Sequence, residues 1–209
     1  MKKFLIFLLV FSTVTSCRSQ TEEPTPNPAL GGPCEGCEAI YEYGDQFLDA
    51  IDTLPAFAEN EPRLKITGTV LQADAKTPAP NVILYIYHTN RKGIYETRGD
   101  EQGWAKRHGY IRGWIKTDAS GRYSFYTFRP ASYPNGREPQ HIHITVKEPG
   151  KKEYYLDDFL FTDDPYLTSE IRNNRSNRGG SGIVTPKAEG DLFLVRRDIV
   201  LGRSIPHYE

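Results

Sequence analysis

Two histidines, His141 and His143, stand two residues apart at the head of an apolar, β-branched run. Side chains two apart in a strand point to the same face, so these imidazoles are expected to lie side by side. Tyr133 precedes them in a segment rich in proline and glycine. A phenol, with a pKa of about 10, ligates a metal well only when a strongly charged cation displaces its proton. The combination therefore predicts a non-haem Fe(III) site.

The elements that would position these residues are short strands separated by turns. The predicted strands cover residues 64–71, 82–88, 113–117, 121–128, 141–147, 154–161 and 193–201. Thirteen Tyr, 18 Gly and 15 Pro favour strands and turns over helices. Only a short helix is predicted, around residues 40–51, and residues 173–182 read as a long mobile loop. The pattern predicts an all-β fold, a two-sheet β-sandwich with a short N-terminal segment.

Length and charge limit the function classes. The 209 residues are enough for one domain, and a net charge of −1 gives no argument for binding nucleic acid.

Residues 1–17 have two lysines, an apolar run and small residues, the layout of a secretory signal too short to span a bilayer. The end of this segment resembles a bacterial lipobox, which implies lipidation of Cys17. The alternative is an ordinary signal peptide with an incidental cysteine. Both interpretations predict an extracytoplasmic protein. The lipobox in addition predicts a membrane-tethered lipoprotein at the periplasm or cell surface.

Residues 18–37 read as a linker, because their first part is rich in proline and polar residues and has little to bury. The segment ends in a C-x-x-C pair, Cys34 and Cys37. With Cys17 lipidated these two are an even pair in an oxidising compartment, so a local disulfide is predicted. One alternative is a redox couple, but the chain lacks the βαβ context of a thioredoxin-like site. The other is half of a metal site, but two further ligands are not evident in the sequence. The domain itself is predicted to span residues 38–209.

The order of several segments is similar to that of a known family. The segments are residues 90–95, 112–125, 130–134, His141-Ile-His143 and the 163–165 turn. Together they resemble the intradiol ring-cleavage dioxygenases, in particular the catalytic domain of protocatechuate 3,4-dioxygenase. The resemblance covers roughly residues 64–201.

The resemblance implies four ligands for Fe(3+). Tyr95 and His141 would be equatorial, Tyr133 and His143 axial, with water or hydroxide in the open position. It also implies a catechol-type aromatic diol and O₂ as reactants, ring cleavage between the two hydroxyl-bearing carbons, and a cis,cis-muconate-type diacid as product. Tyr133 would be catalytic, because its phenolate can accept a proton from the substrate. A homo-oligomer would follow by analogy alone.

The sequence departs from the family at the substrate side of the site. The family arginine three residues before the first histidine ligand is Glu138 here, and Arg137 is the nearest candidate for its catalytic role. Asp158 stands where the family has a glutamine. Residues 96–112 supply basic and aromatic side chains, among them Tyr110 and Arg112, that would shape a substrate pocket with Asp158. A solvated loop is the alternative for that segment.

A second function stays open at this point. A sandwich module that has kept the ligands but not the arginine would bind iron-catecholate compounds, or carbohydrate, without catalysis. Colour from phenolate-to-iron charge transfer supports both iron-based hypotheses, and oxygen uptake with a catechol separates the enzyme from the binder.

Overall fold

A computed structural model describes residues 29–209. The signal segment and Cys17 lie outside these residues, as does most of the predicted linker. In chain order the strands are β1 (Ile51–Thr53), β2 (Arg63–Leu71), β3 (Ile83–Tyr87), β4 (Arg112–Lys116), β5 (Arg122–Phe128), β6 (His141–Lys147), β7 (Tyr154–Tyr155), β8 (Phe159–Phe161), β9 (Ile183–Val184), β10 (Lys187–Glu189), β11 (Leu192–Arg196) and β12 (Ile199–Val200). A 3-10 helix spans Cys37–Tyr41, and two short α-helices are α1 (Ala105–His108) and α2 (Ser169–Asn173).

These strands form two sheets in the described part of the chain. The first has the order β1-β5-β2-β11-β10, with β12 also paired to β2, and the second has the order β4-β3-β6-β8-β9, with β7 paired to β6. Alternating side chains on β2 are buried, and those on the inner faces of the two sheets meet in one core. Ile66, Phe125 and Val195 come from the first sheet, and Leu84 and Ile144 from the second. The predicted two-sheet β-sandwich is confirmed.

The second sheet has an aromatic outer face covered by the N-terminal segment. Tyr85 and Trp114, on neighbouring strands, stack with their ring centroids 4.8 Å apart. Ala39 and Ile40 of the 3-10 helix are fully buried against this pair. The Nε1–H of Trp114 donates to the Ala39 carbonyl at 3.2 Å. Burial of this apolar surface fixes the segment before β1 on the outside of the sheet.

The described end of the predicted linker packs against the sandwich. Gly31 is buried, its N–H donates to the Pro206 carbonyl at 2.8 Å, and its carbonyl accepts from Arg178 Nη1 at 3.0 Å. Cys34 and Cys37, the predicted pair, form a disulfide with a Cα–Cα distance of 5.7 Å. Residues 31–37 are therefore part of the folded unit.

Two local predictions differ from the structure. The helix expected around 40–51 is only the 3-10 helix Cys37–Tyr41, because the chain next turns to place β1 parallel to β5. The loop expected at 173–182 is anchored: Arg178 is buried and its Nε donates to the Tyr155 carbonyl at 2.9 Å. No helix within residues 29–209 is both long enough and apolar enough to cross a bilayer.

Candidate metal centre

The two histidines lie on β6, the central strand of the second sheet. Tyr87 of β3 pairs with His143, and Leu160 of β8 pairs with His141. Ile142 between them is fully buried, whereas both histidines are half-buried on the opposite face. Their ring centroids are 4.7 Å apart. Strand alternation therefore presents two imidazoles on one face, as the sequence predicts.

Two loops bring the phenols to the same face. Tyr95 follows β3 and Tyr133 follows β5, and the loops meet at Gly93. Gly93 has φ 76°, and a Cβ atom there would lie 2.0 Å from the Ser132 carbonyl oxygen. Only glycine both adopts this backbone conformation and allows such an approach. The close contact of the two loops places Tyr95 beside Tyr133.

Four side-chain tips converge at this point. Tyr95 Oη lies 2.7 Å from Tyr133 Oη and 2.7 Å from His143 Nε2. Tyr133 Oη lies 3.1 Å from His141 Nε2. Ligands that meet at right angles on bonds of about 2 Å are about 2.8 Å apart, so these neighbours have the spacing of atoms that share one ion.

The opposite nitrogen of each ring fixes its tautomer. His141 Nδ1 lies 2.8 Å from the Pro139 carbonyl oxygen, and His143 Nδ1 lies 3.1 Å from Asp158 Oδ1. Both oxygens accept, so each Nδ1 carries the proton and donates it. In the neutral rings Nε2 is then left with a free lone pair aimed at the phenols. Contacts of this kind orient histidine ligands in metal sites.

The chemistry of these four groups fits a bound metal ion. Three contacts join the four tips, and each of them is between a phenol oxygen and either the other phenol oxygen or an imidazole nitrogen. All of these atoms carry lone pairs that can bind a cation. Two oxygens and two nitrogens at this spacing therefore form a candidate donor set.

The pKa values of these groups agree with that interpretation. Burial, together with the contact to Tyr133, raises the pKa of the Tyr95 phenol, and burial raises the pKa of Tyr133. Burial and the neighbouring His143 lower the pKa of His141, which keeps this ring neutral. The phenols will therefore lose their protons only to a cation of high charge.

Asp158 is a neighbour of the donor set. One ligand atom each of His141, His143 and Asp158 fall within 4.8 Å of one another, so these three alone could hold an ion. The carboxylate, however, contacts Nδ1 of His143, on the far side of the ring from Tyr95. Burial opposes ionisation of Asp158, but its pKa is nevertheless lowered by the adjacent His143 and His141. Asp158 therefore orients His143 as an anion behind the ring.

Comparison with known proteins identifies the family. The profile of a family described as "Dioxygenase" matches residues 53–178, more than half of the chain. The chain belongs to the intradiol dioxygenase family.

Relatives and solved structures are similar to this chain over part of their length. The protocatechuate 3,4-dioxygenase beta chain of Burkholderia cepacia is 30% identical over 137 residues, covering 60% of this chain and 58% of the relative. The catechol 1,2-dioxygenase of Acinetobacter baylyi is 30% identical over 132 residues, covering 51% of this chain and 40% of the relative. The chain thus spans about half the length of these relatives.

A solved structure shares the fold. It is the dioxygenase domain of a dioxygenase carbohydrate-binding protein fusion from Streptomyces sp. SirexAA-E, with a TM-score of 0.53 at 22% identity. The alignment covers 66% of this chain and 79% of that one. At this identity the likeness supports the sandwich and its topology alone.

Three cavities reach the four donors of this intradiol dioxygenase domain. The Arg175 cavity, of about 390 Å³, is lined by Tyr133, Glu138, Pro139, His141, His143, Asp158, Leu160, Ile171 and Arg175. The Tyr95 cavity, of about 250 Å³, is lined by Glu35, Tyr87, Tyr95, Trp104, Arg107, His108, Tyr133 and His143. The disulfide cavity, of about 350 Å³, is lined by Pro33, Cys34, Glu35, Gly36, Cys37, Tyr87, His143, Ile144, Thr145, Tyr155 and Asp158. A small ligand can thus reach the donors.

Two arginines, Arg175 and Arg107, line cavities at the donors, and Arg137 is not one of them. Arg137 is exposed and lines none of the three cavities, whereas Glu138 lines one of them. Arg175 lines that same cavity, with its Nε 3.3 Å from Asp157 Oδ2 and its Nη2 3.5 Å from the Asp158 carbonyl oxygen. Arg175 is thus a cation in a cavity that three donor residues line. The catalytic role of Arg137 stays a prediction that its location does not support.

Tyr110 and Arg112 line a different cavity. It is bounded by Glu42, Asp52 and Trp114, and none of the four donor residues lines it. The guanidinium of Arg112 pairs with Glu42 at 2.5 Å. Of the three residues assigned to the substrate pocket, only Asp158 lies beside the donors.

Two residues beside the donors were not found by sequence reasoning. Arg175 falls in a segment that reads as a loop, and Glu35 falls in the predicted linker. His108, in contrast, belongs to the 96–112 segment that was predicted to shape the pocket; it is buried and stacks on Tyr87 with centroids 3.8 Å apart. No local pattern marks Arg175 or Glu35, because only the tertiary fold carries their segments to the donor face.

Proposed function

We propose that this protein is an extracytoplasmic Fe(III) intradiol dioxygenase that cleaves a catechol-type ring. O₂ would be consumed, the ring would open between the two hydroxyl-bearing carbons, and a cis,cis-muconate-type diacid would form. One observation carries the proposal: two phenol oxygens and two imidazole nitrogens converge with 2.7–3.1 Å between neighbours. Membership of the family supports the same reaction class.

The choice of ferric iron rests on the donors. Zinc and magnesium sites are built from thiolates, imidazoles, carboxylates and water, and two phenolates are foreign to both. Phenolate oxygen is a hard donor that favours a hard, oxidised ion, and two phenolates offset two of its three charges. Ferric iron, when bound, would supply the Lewis acidity that chelates a catechol and makes its ring reactive toward O₂.

The residues of the chain would handle protons and position the substrate. The Pro139 carbonyl and the Asp158 carboxylate accept from the Nδ1–H groups, so Nε2 is the nitrogen that each ring turns toward the phenols. A catechol must lose two protons to chelate a metal, and Tyr133 Oη can accept one of them, since Tyr133 lines both the Arg175 and the Tyr95 cavity. Tyr95 lines only the second of these cavities. Tyr133 would therefore be the phenol that accepts the proton of the substrate.

The ring is proposed to lie at the donors, where the Arg175 cavity and the Tyr95 cavity meet. Three donor residues line each of these cavities, with Tyr133 and His143 common to both, whereas His143 is the one donor that lines the disulfide cavity. In the Arg175 cavity, Leu160 and Ile171 give an apolar wall, and Arg175 supplies the cation beside a dianionic catecholate. Glu138 and Asp158 line it too, so the charge around the ring is mixed.

The proposed location rests on the first 37 residues. The signal-like stretch 1–17 and the lipobox-like sequence ending at Cys17 support export and tethering by a lipid anchor. The Cys34–Cys37 disulfide is of the kind found in oxidising compartments.

Absorption and oxygen uptake test this proposal together. Purified protein reconstituted with ferric iron should be purple-red from phenolate-to-iron charge transfer, and should consume O₂ with at least one catechol in a panel. Tyr133→Phe should shift the band and slow substrate deprotonation. Colour without oxygen uptake over the whole panel would favour the binding module instead. Protein that takes up no iron, or a Tyr133→Phe variant of unchanged colour, would refute the metal site.

A further inference from the structure

The turn closed by the disulfide lies against the metal centre, although it falls outside residues 53–178, where the family profile matches. All five residues of this disulfide turn (residues 33–37) line the disulfide cavity, with His143 and Asp158 on the other side. Glu35 also lines the Tyr95 cavity. A segment that reads as linker in the sequence is thus a wall of the site.

One end of the disulfide turn is fixed to the outer face of the sheet. Cys37 is 2% exposed and begins the 3-10 helix whose Ala39 and Ile40 are buried against Tyr85 and Trp114. Gly36 has φ 85°, and a Cβ atom there would lie 2.7 Å from His108 Nε2. The turn therefore touches the imidazole that stacks on Tyr87, next to His143.

The other end is fixed by the disulfide and by a charged contact. Glu35 forms an ion pair with Arg107 of α1, which joins the turn to the opposite wall of the Tyr95 cavity. The two side chains are 70% and 63% exposed, and such exposed pairs add little to stability. The covalent cross-link is therefore the main constraint on this end of the turn, and the ion pair adds a contact between two residues that line the Tyr95 cavity.

We propose that the disulfide turn is a specificity-determining wall, which limits the size of ring substituents that extend from the donors into the Tyr95 cavity. The inference rests on the proposed function, because it concerns the substrates of the same centre. It assigns small or unsubstituted catechols as the substrate class. The disulfide holds the wall in place, and Glu35 sets its reach into the cavity.

Two variants of opposite effect test the wall. Cys34→Ser combined with Cys37→Ala removes the cross-link while keeping an apolar residue at the buried position. Glu35→Trp adds volume on the cavity side. The measured quantity is the ratio of kcat/KM for 4-tert-butylcatechol to kcat/KM for catechol. We expect it to rise about 5- to 10-fold in the first variant and to fall by a similar factor in the second.

The matched control is a second exposed ion pair far from the donors. Asp191 pairs with Arg63 at 3.4 Å and is 83% exposed, so Asp191→Asn should leave the ratio unchanged. Thermal unfolding and iron content of each variant show whether the fold and the centre persist. If the cross-link variant does not fold, Glu35→Trp and Glu35→Gly still give the two directions.

Anaerobic binding provides a readout independent of turnover. Dissociation constants of the two catechols, followed by the change in visible absorption, should shift in the same directions as the kinetic ratio. Ratios within twofold of wild type in both variants would overturn the wall. Failure of the wild type to oxidise any catechol would refute the proposed function, and the binding ratio would still decide on the wall. Absence of binding as well would refute both.

Discussion

Histidines have two kinds of surroundings in this molecule. His88 is buried, its Nδ1 lies 2.7 Å from the Thr89 carbonyl oxygen, and its Nε2 lies 2.7 Å from Thr127 Oγ1. His141 and His143 also bond through Nδ1, but their Nε2 atoms face phenols. Each contact of His88 has one donor and one acceptor and ends there, whereas Nε2 of His141 and of His143 each faces a phenol oxygen that also contacts the other phenol. The difference teaches that convergence of several donor atoms, more than burial, separates a histidine with satisfied contacts from a candidate metal ligand.

The Tyr85–His108 contact makes the same distinction for a tyrosine–histidine pair. Tyr85 Oη lies 2.9 Å from His108 Nδ1, and the one hydroxyl proton satisfies the one contact. Tyr95 lies as close to His143, but it also lies 2.7 Å from a second phenol. A tyrosine beside a histidine is therefore no sign of a metal, whereas two phenols and two imidazoles that converge form a candidate donor set.

The largest effect should come from removing a proposed ligand. His141→Ala is expected to lower iron affinity by more than about 100-fold and to abolish the visible band, because a donor is lost outright. His88→Gln, which changes a histidine with satisfied contacts, should keep both iron and colour. Metal content and absorption spectra measure the difference. Equal iron loss in the two variants would break the comparison.

The second prediction concerns pH and the metal-free protein. Burial lowers the pKa of His88 to about 4, below its usual value near 6.5. Between these values the unfolded chain binds the proton and the folded chain does not, so stability is lost as pH falls through this window. Over this window His88 lowers the free energy of unfolding by about 3 kcal/mol. Denaturant unfolding at pH 7 and pH 4.5 should show this loss, and His88→Gln should show less of it. An identical pH slope in both proteins would contradict the assignment.

The third prediction addresses the carboxylate behind His143. Asp158→Asn keeps an acceptor for Nδ1 but removes the charge, and we expect about 10-fold weaker iron binding, rising to about 100-fold in Asp158→Leu. Asp163, which pairs with Arg129 at 2.7 Å, provides the control as Asp163→Asn. Competition with a chelator measures the affinities. If iron affinity falls stepwise in the Asp158 variants and stays unchanged in Asp163→Asn, the carboxylate behind His143 supports metal binding. His88 differs in this respect, because its Nδ1 bonds a main-chain oxygen.

The smallest effect concerns the two arginines. Arg175→Gln should weaken anaerobic binding of catechol by about 5- to 10-fold, because a cation is removed from the cavity of an anionic ligand. Arg137→Gln should change it by less than twofold, since Arg137 is exposed and lines none of the three cavities. The reverse ranking would restore Arg137 to the role that the sequence predicts.

The sequence predicts those parts of the site that follow from local geometry. His141 and His143 share a face because strands alternate, and the predicted strand 141–147 has the bounds of β6. Tyr95 and Tyr133 entered through resemblance, because nothing in the sequence says that the loops following β3 and β5 touch. Their contact depends on Gly93. Glycine occurs in loops for several reasons, so its presence in the sequence does not predict this contact.

The substrate side was less predictable for a physical reason. Arg137 lies four residues before His141, but side chains of a turn have no fixed period, so closeness in sequence does not place the guanidinium near the metal. Arg175 is brought there by the chain after α2, and Glu35 by apolar contacts of the 3-10 helix. Both placements result from packing between segments that are far apart in the sequence, and a local sequence pattern does not predict such packing.

The anchoring of Gly31 has a practical consequence. Its bond to the Pro206 carbonyl brings the two ends of the described chain together, and Pro33, two residues later, already borders a cavity of the centre. A solid support or fusion partner joined directly before Gly31 would therefore sit beside a cavity of the candidate centre. Attachment through an exposed loop elsewhere, such as the turn at Gly190 between β10 and β11, would leave that cavity facing bulk solution.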